Sequence, residues 1–140
     1  LRDCDETQGT VTCAETALAR YPEMNAYVGA GALTAVGAAQ AFPKAGRKDI
    51  IITGTDDDPV ILDGIKKGTI AFSFAQQKYG LGYWLVYIPY KMHTTGKDPA
   101  VKFIDTRYAI VDKNNVDNYM DTIKQNFKEV TKYIDTEVFK

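Results

Sequence analysis

The spacing of apolar residues changes several times along the chain, and each change marks a new element. From Asp5 or Thr7 to Tyr21, Val11, Ala14, Leu18 and Tyr21 recur at three- and four-residue steps, the period of one helix face, and Pro22 closes the segment. Asn25 to Ala30 is a short apolar run ending in small residues, which predicts a strand and a tight turn. Thr34 to Ala45 is alanine-rich and ends at Gly46, a good helix terminator, with Pro43 in its last turn. Asp49 to Thr55 holds three consecutive isoleucines and predicts a central parallel strand buried on both faces. Asp56-Asp57-Asp58-Pro59 supplies helix caps and a proline for a first turn, and the helix that follows stops at Gly68. Thr69 to Ala75 is a third strand, and Tyr79 to His93 an aromatic-rich helix with a large apolar face to cover. After a loop at Thr94 to Pro99, Phe103 to Val111 is β-like, and Asn114 to Lys140 has helical spacing.

Strands separated by helices of about a dozen residues predict right-handed crossovers and a parallel α/β sheet. With three to four strands that sheet is small against a mean of about five or six. Ligands of such sheets bind beyond the carboxyl ends of the strands. Two polar residues stand there: Asp56 after the isoleucine strand, and Gln76 after the third. Asp56 can accept two hydrogen bonds from neighbouring hydroxyls of a polyol; its competing role is to cap the next helix, which Asp57 or Asp58 could also do. Gln76 offers both a donor and an acceptor, suited to a neutral ligand. Thr55 adds a hydroxyl beside Asp56, although a β-branched residue there also serves the strand itself.

The bulk properties narrow the field. The 140 residues, 45% hydrophobic and 25% charged, suit one domain with a core of its own. Seventeen basic residues face eighteen acidic ones, for a net charge of −1 with no basic stripe, which argues against nucleic acid as a partner. No apolar run approaches the roughly 20 residues that span a bilayer, and Leu1 to Asp5 has no signal-peptide character, so the expectation is a cytosolic protein or one whose leader has been removed. Cys4 and Cys13 are the only cysteines. On one helix they would lie about 13 Å apart, too far to bridge; a disulfide becomes possible if Cys4 precedes the helix. No metal-ligand cluster accompanies His93, the sole histidine, and no catalytic constellation or cofactor motif is found. Gly29-Ala30-Gly31 opens like a dinucleotide loop, but Thr34 occupies the third glycine position.

The order of these motifs resembles the type I periplasmic binding proteins, in particular their ribose- and galactose-type sugar binders, and the related effector domains of lactose-repressor-like regulators. The likeness runs from Cys4 to Tyr119: the helix and strand entry of Glu15 to Ala26, the helix of Ala35 to Ala41, the strand ending in Gly54-Thr55-Asp56, the Ile65-Lys66-Lys67-Gly68 turn, and the strand leading through Gln76 to Gly82. The resemblance implies a three-layer α-β-α parallel sheet of the flavodoxin-like kind, with residues 1–140 as a partial carboxy-terminal lobe. A hinge-crossing strand would lie near 103–111 and a terminal helix at 115–138. It implies a non-enzymatic solute binder, periplasmic or otherwise extracytoplasmic, whose partners are a sugar or polyol, the amino-terminal lobe absent from this sequence, and a membrane permease of an ABC-type uptake system. A ligand-sensing domain of a transcription regulator or sensor is the alternative, and a flavodoxin-like or Rossmann-type enzyme a third class. Asp56 and Gln76 would be ligand contacts, helped by Thr55 and, through its backbone, by Gly31. At Gly31-Ala32, where sugar-binding members often carry a polar pair, this chain has no polar side chain. A single lobe with an aromatic-rich surface is also expected to self-associate or to bind ligand weakly.

Overall fold

Three short apolar runs become parallel neighbours because a helix returns the chain to the same end of the sheet after each of the first two. The computed structural model describes residues 7–140. The element order is α1 (Thr7–Arg20), β1 (Ala26–Val28), α2 (Ala32–Lys44), β2 (Ile51–Thr55), α3 (Pro59–Lys67), β3 (Phe72–Gln76), α4 (Lys78–Thr95), β4 (Tyr108–Asp112), α5 (Tyr119–Tyr133) and a π-helical turn, Ile134–Val138. The sheet order is β1-β2-β3-β4. β1 pairs in parallel with β2, Tyr27 opposite Ile52, and β2 with β3, Gly54 opposite Ser73. This is the α/β sheet with connecting helices expected from the sequence.

The chain divides into two compact units. One runs to Ala75 and includes Ile110–Asp117; the other comprises Gln76–Ala109 and Asn118–Lys140. In the first unit α1 packs on α2, and close approach decides the contact: a Cβ on Gly37 would sit 2.5 Å from the Thr10 carbonyl carbon. α2 and α3 cover one face of the sheet. Phe42 meets Tyr27 edge to face with ring centres 5.3 Å apart, and Ile61 reaches the backbone at Gly54. That face carries Ile52 and Ser73, both buried. Arg47 ties the entries of β1 and β2 together, donating to the carbonyls of Pro22 (2.6 Å) and Met24 (2.8 Å) and to both carboxylate oxygens of Asp49. The guanidinium holds the Asp49 carboxyl down to about 2.

The second unit is built from large rings. Trp84 is buried with Val130, Ile134 and Val138; its ring stacks on Phe127 and its Nε1 donates to Thr131 Oγ1 (2.9 Å). Tyr87 donates to Asp135 (2.6 Å), which pushes its phenol up to about 12. Trp84 is core, whereas Tyr83 remains 42% exposed. No described helix is long and apolar enough to cross a membrane.

Four expectations need correction or completion. The isoleucine strand is not buried on both faces: Ile50 and Ile52 are, but Ile51 is 56% exposed, because both crossover helices lie on the other side. The strand expected over 103–111 begins only at Tyr108. Its first half is interrupted by Arg107, which has a φ of 60° and whose N–H donates to Asp105 Oδ1. The helix expected over 115–138 begins at Tyr119. Before it, Asp112 and Asn115 bond their side chains to nearby backbone, competing with helix formation: Asp112 Oδ1 accepts from the Asn114 N–H, and Asn115 Oδ1 from the Asp112 N–H. Its last turn, Ile134–Val138, is π-helical. Cys13 is disulfide-bonded; Cys4, on which the sequence reading turned, lies outside the described residues, as does Asp5.

Candidate functional site

The carboxyl ends of β1 and β2 come together through backbone contacts that small residues permit. Gly29 follows β1, and its N–H donates to the Thr53 carbonyl (2.9 Å). A Cβ at Gly29 would stand 2.8 Å from both Ala35 Cβ and Ala35 N, so only glycine lets α2 start this close to the strand. The dinucleotide-like glycine spacing thus has a packing cause. Gly31 caps α2: the Thr34 hydroxyl donates to its carbonyl (2.7 Å) and accepts from its N–H (3.2 Å). A Cβ at position 31 would meet nothing within 4 Å, so contact at Cβ does not require glycine there.

Thr55 closes β2, and its hydroxyl donates to the Gly29 carbonyl (2.9 Å). That bond holds the two strand ends together and leaves the oxygen with acceptor capacity only. The next residue, Asp56, is half-buried and has a φ of 75°. A non-glycine residue in this region stores strain of order 1–3 kcal/mol and persists only where its surroundings enforce it. Here they do: the Asp56 N–H donates to the Phe74 carbonyl (2.9 Å), and its carbonyl accepts from Ser73 Oγ (2.6 Å). Gly54 makes room for Ser73, since a Cβ at 54 would stand 3.0 Å from that hydroxyl oxygen. The competing role for Asp56 is filled by another residue: Asp58 is the N-cap of α3, accepting from the Val60 N–H (2.8 Å). The left-handed turn therefore fixes where the Asp56 carboxylate departs from the strand end, while the cap is made elsewhere.

Gln76 is the last residue of β3 and is exposed. Its neighbour Gln77 is buried; its Nε2 donates to the Ile123 carbonyl (2.6 Å) and its Oε1 has no hydrogen-bond partner. Of the four residues expected at a site, Gly31, Thr55 and Asp56 are drawn to one end of the sheet in the first unit, with Gly31 and Thr55 both tied into the Gly29 turn. Sequence reading missed Ser73, the group that pins Asp56; its only local signal is a small polar residue inside the apolar run Phe72-Ser73-Phe74-Ala75. A cavity of about 290 Å³ in the same unit, lined by Ile50, Ile52, Lys67 and Thr69 among others, opens at the amino-terminal ends of the strands, the end that open parallel sheets do not use for ligands.

A family model described as the periplasmic binding protein domain matches residues 3–98. No curated protein matches the chain. Among solved structures, a glucose-galactose binding protein, GanP, from Geobacillus stearothermophilus is 30% identical with a TM-score of 0.73, covering 81% of this chain and 40% of its own. An arabinose-binding protein, AraP, from the same organism is 25% identical (TM-score 0.71; 81% and 42%). An ABC transporter solute-binding protein from Bacillus halodurans with bound myo-inositol is 26% identical (TM-score 0.69; 83% and 40%). The chain thus spans about two fifths of the length of these relatives. It belongs to the periplasmic binding protein family of type I sugar-binding proteins, a family of non-enzymatic solute binders.

Proposed function

We propose that this chain is the carboxy-terminal lobe of a solute-binding protein serving an ABC-type uptake system, and that Asp56 binds a sugar or polyol. The observation that supports this most is the enforced left-handed backbone at Asp56. Strain at a strand's carboxyl end, enforced by Ser73 and Phe74 while Asp58 serves as the N-cap of α3, fits a fixed ligand contact. A carboxylate held there accepts from two vicinal hydroxyls at once, geometry that a flexible acid loses in ordering entropy. Thr55 contributes an acceptor beside it, and Gln76 a further donor and acceptor. A glucose-galactose binder and a myo-inositol complex among the relatives agree with a neutral polyhydroxylated ligand. On this reading the protein works outside the cytoplasm, with an amino-terminal lobe as the opposite wall and a permease as its downstream partner.

Asp56→Ala in the whole gene product is expected to weaken sugar binding by more than about 2 kcal/mol, since a desolvated hydroxyl loses its acceptor. Isothermal calorimetry with a panel of pentoses, hexoses and inositols measures it; unchanged affinity for the best ligand removes Asp56 from the site.

A further inference from the structure

Gln77 uses only half of a buried amide. It is 1% exposed and stands between β3 and α4 as the helix N-cap, yet its side chain makes no capping bond. Its Nε2 donates to the Ile123 carbonyl (2.6 Å), and this fixes the amide, because the reversed orientation would press Oε1 against that carbonyl oxygen. Oε1 is left as a buried acceptor without a partner, which is costly in a low-dielectric interior. Gly80 makes room for this arrangement, since a Cβ there would stand 2.7 Å from Gln77 Cγ. Gln77 also lines a cavity of about 360 Å³ whose walls belong wholly to the second unit. Met120, Ile123 and Phe127 are its apolar walls, and Lys124 and Lys128, one turn apart on α5, supply positive charge.

We propose that this cavity is a second ligand site, which takes a small aromatic acid bearing a hydroxyl or N–H donor away from its carboxylate. The donor meets Gln77 Oε1, the ring lies among the apolar walls, and the carboxylate meets the two ammonium groups. Phe127 already takes other rings edge to face, from Tyr79 at 5.6 Å and Tyr83 at 5.3 Å. Met120, flexible and 43% exposed, is a wall that can adjust to a ring, and its sulfur is a favourable aromatic neighbour. Both lysines are exposed: Lys124 has only a long contact with Asp121 (3.6 Å), and Lys128 has no ion pair among the described residues. Water suits the orphan oxygen poorly, because a buried water needs about two to four polar partners and the apolar walls supply none. A sugar suits it no better, since several hydroxyls would be stranded against a single buried acceptor. The site thus selects a different chemistry from the strand-end acid, and does not depend on whether Asp56 binds a polyol.

Isothermal calorimetry of the whole gene product with 4-hydroxyphenylacetate tests it, beside phenylacetate, which lacks the donor, and tyramine, which carries a cation in place of the anion. Saturable binding of 4-hydroxyphenylacetate is expected, about tenfold weaker for phenylacetate and absent for tyramine. Replacing both lysines, Lys124→Ala with Lys128→Ala, should weaken it about tenfold. Met120→Trp, at an exposed position, should fill the cavity and abolish it, each variant first being checked for native circular dichroism. No binding of the hydroxy acid would overturn the proposal. So would equal affinity for phenylacetate, which leaves Oε1 to water, and so would binding unchanged by the lysine pair or by Met120→Trp, which puts the acid elsewhere. Asp56→Ala, directed at sugar binding, should leave acid binding as it was, so the two sites fail or stand separately.

Discussion

The two units are held together by opposite means. In the first, the decisive contacts are made by residues with little or no side chain: Gly37 against Thr10, Gly29 against Ala35, Gly54 under Ser73, with Ala14, Ala35, Ala38 and Ala41 buried around them. In the second, a few large rings carry the packing: Trp84 stacks on Phe127, and Phe127 meets Tyr79 and Tyr83 edge-on. Small residues bring backbones within bonding distance and so fix positions to tenths of an ångström, as at Asp56. Large rings bury area but leave the surface adaptable, and α4 still exposes Tyr79, Leu85, Val86 and Tyr90. The unit that positions the strand-end acid is the one built on backbone proximity.

Removing a ring should cost most. Trp84→Ala is expected to destabilise the second unit by about 3–5 kcal/mol through the cavity it leaves and the lost bond to Thr131, measured by urea unfolding followed by far-ultraviolet circular dichroism. A loss below about 1 kcal/mol would mean that the rings do not carry that unit. Adding one methyl group to the first unit should come next. Gly37→Ala drives a Cβ into the Thr10 backbone, which cannot rotate away as a side chain could, and should cost about 1–3 kcal/mol. If the thermal midpoint is unmoved, α1 and α2 are looser than the contact implies. The smallest effect has the opposite sign. Asp56→Gly relieves the left-handed backbone and should stabilise the first unit by about 0.5–1 kcal/mol while removing sugar binding from the whole product. A destabilised glycine variant would show that the turn is not strained.

Much of this was legible in the sequence because it depends on local chemistry. Asp58-Pro59 and Gly68 bracket α3 by capping rules, the helices and strands follow their apolar periods, and the acid after a strand marks Asp56 as a candidate. What escaped depends on partners distant in the chain or on cover that a pattern cannot reveal. Ser73 matters only because its hydroxyl meets a carbonyl 17 positions earlier. Ile51 has the composition of a core residue, but composition does not say whether a helix lies above it. Arg107 turns into the left-handed region without glycine to announce it, so the strand ahead of β4 was drawn too long. At Asp56 the sequence named the residue, and only the structure separated it from the capping role that Asp58 fills.

Position 31 has a consequence for how such a protein diversifies. A Cβ there meets nothing within 4 Å, while the turn that holds it is secured by Thr34 and by Gly29, neither of which depends on what residue 31 carries. On the proposed reading of the site, Gly31→Asn would change what that strand end offers a solute while the turn beneath it stays in place.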